Sequence, residues 1–136
     1  MDPVLQSFLA GFPVLMLHIL ITLGMFAVAV TIYLFITPYH EMTLIRAGNT
    51  AAAVTLSGAI VGLALPLAFC MASSVSYWDI AIWGCVALAI QLLTYRIADL
   101  LLKGLPQRVE KNEIGPAILV ASIKLAVAII NAAAVA

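Results

Sequence analysis

The stretch 114–136, IGPAILVASIKLAVAIINAAAVA, decides the fold class of this chain. As a helix it is long enough to cross the roughly 30 Å of hydrocarbon in a bilayer. Its only ionisable side chain is Lys124, near the middle of the segment. A lysine at the centre of a bilayer costs roughly 2.5–3.5 kcal/mol on insertion scales, so such a residue usually has a partner, a water-filled cavity or a function. Lys124 is therefore the first candidate for a functional residue.

The composition of the whole chain agrees with a membrane location. Of its 136 residues, 65% are hydrophobic and 9% are charged, whereas soluble domains carry about 25% charged residues. We predict an integral membrane protein in contact with the lipid bilayer and without a separate soluble domain. The formal net charge is zero, so we expect no nucleic-acid partner. No cysteine–histidine spacing suggests a metal site, and we expect no cofactor.

Three further apolar segments precede the last one, and each is long enough to span a membrane. The predicted fold is all-α: a polytopic membrane protein in which residues 1–136 form a single transmembrane domain. The N-terminal sequence has no basic region ahead of its apolar run, so we expect no cleavable signal. The four predicted helices are 5–36, 50–71, 78–102 and 114–136.

The basic residues of the connections predict the orientation. Arg46 lies in the first connection, and Lys103, Arg108 and Lys111 lie in the third, whereas the second connection has no lysine or arginine. By the positive-inside rule, the first and third connections are cytoplasmic and both termini face outward.

Two similar helical hairpins predict an internal duplication, with halves at 1–72 and 73–136. A shift of 64 positions places Gly58 and Gly62 of the second helix on Ser122 and Ala126 of the fourth. Small residues four apart let membrane helices approach closely, so we expect these positions to pack the second helix against the fourth. The alternative is that this small-residue face lines a pore. An even number of helices per half makes the repeat a parallel one.

The helix boundaries carry expected capping residues. Asn49 precedes the second helix and Asn112 precedes the fourth, and both are plausible N-caps.

Several motifs together resemble a known family. Thr37-Pro38-Tyr39-His40-Glu41 is followed by the stretch 48–53, GNTAAA, and later by the motifs LPL at 65–67, WG at 83–84, QL at 91–92 and NAA at 131–133. This order resembles the YjfL-like inner-membrane proteins of bacteria, a family of unknown function with four predicted helices and a two-helix duplication. The resemblance covers nearly the whole chain. It implies a multi-pass protein of the bacterial plasma membrane, but it brings no known activity. In the family pattern, the position of Lys124 is usually small or apolar.

Three polar residues of the predicted helices share an expected depth in the membrane. They are His18, Gln91 and Lys124, which we interpret as candidates for an ion or solute pathway. Each has a structural alternative. The lysine can snorkel to the interface, the glutamine can hold helices together, and the histidine can be a satisfied buried donor.

A charged cluster is predicted on the cytoplasmic side, formed by Glu41, Arg46, Arg96 and Asp99. Arg96 and Asp99 lie three residues apart on one helix face, which favours a salt bridge within or between helices. Asp79 is expected at the outer boundary and Asp99 towards the inner one. We therefore expect no carboxylate of this chain at the level of Lys124.

The sequence favours a non-catalytic protein, since no catalytic triad, paired carboxylates or phosphate loop is evident. The leading hypothesis is a homo-oligomer that forms a conduit or binding site for a small ion or solute. The alternative is a structural or interaction module that anchors an envelope or stress-response complex through a cytoplasmic protein partner. Its basis is the charged connections, with Arg46, Arg108, Glu110 and Lys111.

Overall fold

A computed structural model describes residues 2–37, 40–74, 76–102 and 104–135. Within these ranges the chain forms six helices and no strand. They are α1 Pro3–Ile36, α2 Glu41–Arg46, α3 Thr50–Ser73, α4 Tyr77–Leu101, α5 Leu105–Glu110 and α6 Ile114–Val135. Lys103, the Pro38-Tyr39 part of the family motif and the predicted helix end at Ala136 lie outside the described residues.

Four of these helices, α1, α3, α4 and α6, are long and apolar enough to cross a membrane. The predicted all-α fold with four spans is thereby confirmed, with boundaries within a few residues of the expected ones. The two short helices, α2 and α5, were not predicted. The duplication and the cytoplasmic side of the first and third connections stay predictions.

Helix α3 lies at the centre of the bundle, because it packs against α1, α4 and α6, most extensively against α6. Both short helices also contact α3 or α6. We call the end of the bundle with α2 and α5 the short-helix end. The opposite end, where α3 is connected to α4, is the hairpin end. Residues 3–17 of α1 are exposed throughout, so only the rest of this helix joins the bundle.

Glycines allow the close approach between α3 and its neighbours. A Cβ atom at Gly58 would lie 2.7 Å from Ala121 Cβ and 2.9 Å from its Cα, so the two backbones touch. Gly62 packs against the Tyr95 hydroxyl and against Ala128. Any side chain at either glycine would push the helices apart.

The structure corrects the expected partners of these glycines on α6. Ser122 and Ala126 lie on the exposed side of α6. The buried face of this helix is formed by residues three or four apart, which are Ala117, Val120, Ala121, Lys124, Ala128 and Ala132. The small residues of this face, and not Ser122 and Ala126, are the ones that meet α3.

Two asparagines join the starts of α3 and α6 at the short-helix end. Asn49 caps α3 as predicted, because its Oδ1 accepts from Ala52 N at 2.8 Å. Asn112 caps the same helix, not α6, since its Oδ1 accepts from Ala51 N at 3.0 Å. The Nδ2 of Asn49 in turn donates to Val109 O at 3.0 Å, at the end of α5. These bonds fix the position of α5 relative to α3.

The two short helices end in the same backbone pattern, 64 positions apart. Gly48 and Asn112 both have positive φ angles, of 92° and 61°. The following amides, of Asn49 and Glu113, donate to the carbonyls of Leu44 and Arg108. This left-handed residue after a helix is a common C-terminal cap. The shift is the one at which the sequence suggests a duplication.

Candidate functional site: a buried charge network around Lys124

Lys124 forms an ion pair inside the bundle. Its Nζ lies 3.3 Å from Asp99 Oδ1, and the side chains are 1% and 7% exposed. The expectation that no carboxylate reaches Lys124 is therefore wrong. An ion pair enclosed among apolar helices offsets the high cost of burying each charge alone.

The direction of helix side chains explains how the two residues meet. Lys124 lies ten positions into α6, and side chains in a helix lean towards its N-terminus. The N-terminus of α6 is at the short-helix end, so the ammonium group reaches towards that end and away from the bilayer centre. Asp99 lies two residues before the end of α4, at the same end of the bundle.

A hydrogen-bonded chain continues from Lys124 to a second carboxylate. Lys124 Nζ donates to the Tyr33 hydroxyl at 2.7 Å, and that hydroxyl donates to Glu41 Oε1 at 3.1 Å. Tyr33 and Glu41 are 1% and 2% exposed. Glu41 is the first residue of α2, so the short helix supplies an acid to the interior of the bundle.

Two aromatic rings enclose the ammonium group. Lys124 Nζ lies 4.8 Å from the ring centroid of Tyr33 and 5.4 Å from that of Tyr95. The rings contact each other edge to face at 5.7 Å. Electron-rich ring faces attract a cation most strongly where water is excluded. The tyrosines therefore stabilise a charged lysine in this position.

Gln91 and Asn131 form a separate polar contact further towards the hairpin end. Asn131 Nδ2 donates to Gln91 Oε1 at 3.0 Å and to Ala87 O at 3.3 Å. Gln91 is fully buried. Asn131 lies two turns along α6 from Lys124, a distance of about 10 Å. Gln91 and Lys124 are thus in neighbouring layers and not in one layer as expected.

His18 lies far from this network. Fifteen positions separate it from Tyr33 on α1, a distance of about 22 Å along the helix. Its side chain is half-buried, and its backbone carbonyl accepts from Thr22 Oγ1 at 2.8 Å. The structure does not bring His18 together with Gln91 and Lys124.

The predicted charged cluster divides into two parts. Glu41 and Asp99 belong to the buried network around Lys124, whereas Arg46 and Arg96 are exposed. Asp99 forms its salt bridge between helices, with Lys124. Arg96 Nη1 instead donates to the carbonyl of Ile36, at the end of α1, at 3.1 Å.

A second ion pair lies at the surface of the short-helix end. Arg108 Nε and Nη2 donate to the two carboxylate oxygens of Glu113 at 3.0 and 3.3 Å. The hydrogen bond from Arg108 holds the pKa of Glu113 below its ordinary value, and the same contact raises the pKa of Arg108. Both groups are exposed, so this pair contributes little to stability.

Cavities open towards the polar residues from both ends. At the short-helix end, a cavity of about 260 Å³ is lined by Glu41, His40, Thr37 and Thr43 among others. Towards the hairpin end, a cavity of about 600 Å³ between α3, α4 and α6 is lined by Asp79, Ser73, Ser74 and Asn131 among others.

Sequence reasoning missed Tyr33, Tyr95 and Asn131. Tyr33 falls near the end of the first apolar segment, a position typical of aromatic residues that anchor a helix at the membrane interface. One available signal was that the two tyrosines and Asp99 fall in the last turns of helices that both end at the short-helix end. Among the described residues, no group of three histidine, cysteine or acidic side chains could hold a metal ion.

Two comparisons with known proteins identify relatives of this chain. A family model described as Domain of Unknown Function (DUF350) matches residues 7–135. The chain is 33% identical over 116 residues to the UPF0719 inner membrane protein YjfL of Escherichia coli strain K12, covering 85% of this chain and 88% of the relative. The same figures hold for YjfL of Escherichia coli O157:H7.

No solved structure matches the chain. Four apolar spans and inner-membrane relatives make this an integral, multi-pass inner-membrane protein. The match over nearly the whole chain shows that the protein belongs to the DUF350 family.

Proposed function

We propose that this protein is a non-catalytic membrane protein that binds and relays protons through the network of Asp99, Lys124, Tyr33 and Glu41. The observation that carries the proposal is the buried chain of contacts, with Lys124 Nζ 3.3 Å from Asp99 and 2.7 Å from Tyr33. Ionisable residues within membrane helices commonly mark proton relays.

The directions of the hydrogen bonds support a defined transfer. Lys124 donates to Tyr33, and Tyr33 donates to Glu41. The ammonium group passes a proton to the tyrosine oxygen while the tyrosine passes its own proton to the Glu41 carboxylate. The neutral amine then takes the proton of a protonated Asp99. The net result moves one proton from Asp99 to Glu41 and leaves Lys124 and Tyr33 unchanged.

Glu41 is placed to exchange this proton with water, because it lines the cavity at the short-helix end. The relay is contained in one chain, so it does not require a subunit interface. A homo-oligomer, as expected from the sequence, remains compatible with one relay in each subunit.

Proton flux into liposomes tests this function. The purified protein is reconstituted in vesicles that contain a pH-sensitive dye, and a potassium gradient with valinomycin provides the driving force. We expect acidification above that of protein-free vesicles. Lys124→Met and Asp99→Asn should slow it by about 10²-fold, the lower range for a positioned acid–base group.

The exposed ion pair of Arg108 and Glu113 offers a matched control. Arg108→Gln removes a charge from the same end of the protein without touching the network, so its flux should equal that of the wild type. The relay would be rejected if the wild-type flux were no greater than that of protein-free vesicles. It would also be rejected if Lys124→Met and Asp99→Asn had the same flux as the wild type.

We keep an interaction module as a second candidate function. The side chains of Arg46, Arg108, Glu110 and Lys111 are all exposed at the short-helix end. A soluble partner could contact this charged surface. Neutralising all four residues should abolish capture of a partner that the wild-type protein retains in mild detergent, and equal capture by both proteins would reject this role.

A further inference from the structure

The cavity towards the hairpin end leads to the polar contact between Asn131 and Gln91, which lies on the hairpin-end side of Lys124. Asn131 lines this cavity, together with Asp79 and two serines. The same Asn131 donates to Gln91, which is fully buried. A polar side chain thus connects the cavity to the interior of the bundle.

Gln91 has an unsatisfied donor at this point. Its amide interacts with the Tyr95 hydroxyl, one turn further along α4. Its Nε2 atom, however, has no partner at hydrogen-bond distance and angle among the described residues. A buried amide donor without a partner is unusual and is commonly satisfied by an ordered water molecule.

Tyr95 continues the path to the charge network. Its ring lies 5.4 Å from Lys124 Nζ and packs edge to face on Tyr33. Asp99 is one further turn along α4 from Tyr95. Polar groups therefore follow one another from the cavity to the ion pair at intervals of about one helical turn, or 5–6 Å.

We infer that water enters from the hairpin-end cavity past Asn131 and Gln91, and that this route supplies the proton that Asp99 receives. The inference rests on the proposed relay and extends it into a path across the bundle. The Asn131–Gln91 contact lies on this path between the cavity and the ion pair. Each step along the water moves one proton between oxygen atoms and leaves the side chains unchanged.

The groups that face the ion pair come from four helices. They are Tyr33 of α1, Glu41 of α2, Tyr95 and Asp99 of α4, and Lys124 of α6. Among the described residues, Asp79 is the carboxylate that lines the hairpin-end cavity. It is suited to collect protons at the entrance.

Cysteine labelling tests whether water reaches Asn131. In a chain with Cys70 and Cys85 replaced by alanine, Asn131→Cys is exposed to a membrane-impermeant, positively charged thiosulfonate reagent. Thiosulfonates react with thiolates, which form in water and not in lipid. We expect labelling from the hairpin-end side at least about tenfold faster than for Ile130→Cys, whose native side chain is 71% exposed on the outer face of α6.

Ala134→Cys keeps this test decisive if Asn131→Cys does not fold, because Ala134 also lines the cavity. The second measurement is proton flux in Gln91→Met. Loss of the amide removes the polar group between the cavity and Tyr95, so flux should fall at least about tenfold. Leu93→Met, at an exposed position of α4, should leave flux unchanged.

The outcomes separate this route from the relay itself. Fast labelling together with slow flux in Gln91→Met supports the route. The route is overturned, while the relay stands, if Gln91→Met has the same proton flux as the wild type. It is also overturned if Asn131→Cys and Ala134→Cys are both labelled as slowly as Ile130→Cys. Absence of wild-type flux despite fast labelling overturns the relay and with it the route as a proton path.

Discussion

Lys124 of α6 and Asp99 of α4 form a buried ion pair, with 3.3 Å between Nζ and Oδ1. The two residues come from the two helices of the second hairpin. Their contact places a formal charge of each sign inside the bundle, next to the Tyr33 hydroxyl and the Glu41 carboxylate. The pair therefore joins the stability of the fold to its proposed activity.

Breaking this pair from either side should destabilise the protein more than removing it completely. Lys124→Met or Asp99→Leu alone leaves an uncompensated buried charge, which costs about 3–5 kcal/mol. The double variant should be close to the wild type, because apolar side chains replace both charges. Unfolding in mixed micelles of dodecyl maltoside and sodium dodecyl sulfate measures the three free energies. Additive losses in the double variant would show that the residues do not interact.

Tyr33→Phe should weaken the network without changing its shape. The hydroxyl accepts from Lys124 at 2.7 Å and donates to Glu41 at 3.1 Å. Its loss removes hydrogen bonds to charged groups, each worth about 1.5–3 kcal/mol. Tyr77→Phe serves as the control, because Tyr77 is an exposed residue at the start of α4. Equal unfolding free energies for the two variants would contradict this arrangement.

Gly62→Ala should disturb the bundle at the layer of Tyr95. A Cβ atom at this position would collide with the Tyr95 hydroxyl, whereas one at Gly24 meets no atom within 4 Å. We expect a loss of roughly 1–3 kcal/mol for Gly62→Ala and a gain of about 0.5–1 kcal/mol for Gly24→Ala. Tyr95→Phe added to Gly62→Ala should recover part of the loss. No recovery in the double variant would show that another contact limits the space.

The surface ion pair of Arg108 and Glu113 should make the stability of the folded protein depend slightly on pH. Because Arg108 holds the pKa of Glu113 below its ordinary value, the pair stabilises the folded protein above the ordinary glutamate pKa. This contribution is lost as the pH falls through the lowered pKa. The difference in unfolding midpoint between wild type and Arg108→Gln should therefore shrink on acidification and in high salt. A difference that grows at low pH would contradict the assigned contact.

The four spans could be predicted because their signal is simple. Each requires a run of about 20 apolar residues, and tertiary contacts do not alter that requirement. The short helices α2 and α5 could not be found in the same way, since each has six residues and is held mainly by neighbouring elements.

The charge network was only half predictable. Lys124 stands out in an apolar segment, but its partner depends on where α4 ends relative to α6 and on the lean of the lysine side chain. From its position along the helix, Lys124 was expected at the same depth in the membrane as Gln91. The structure instead places its ammonium group beside Asp99, closer to the short-helix end.

The position of α2 could not be predicted from the sequence either. Glu41 belongs to the charged cluster predicted on the cytoplasmic side, and no pattern in the sequence indicates that its side chain is buried. The structure places its carboxylate against the Tyr33 hydroxyl, where Glu41 is 2% exposed.

Infrared difference spectroscopy of the reconstituted protein can show whether Asp99 and Glu41 exchange a proton, because it detects the carbonyl stretch of a protonated carboxylic acid. We expect acidification of the wild type to produce carboxylic-acid bands from buried residues. One band should be missing in Asp99→Asn and another in Glu41→Gln, over the pH range in which protons cross the membrane. The same spectrum in the wild type and both variants over that range would contradict the claim that these two carboxylates exchange a proton.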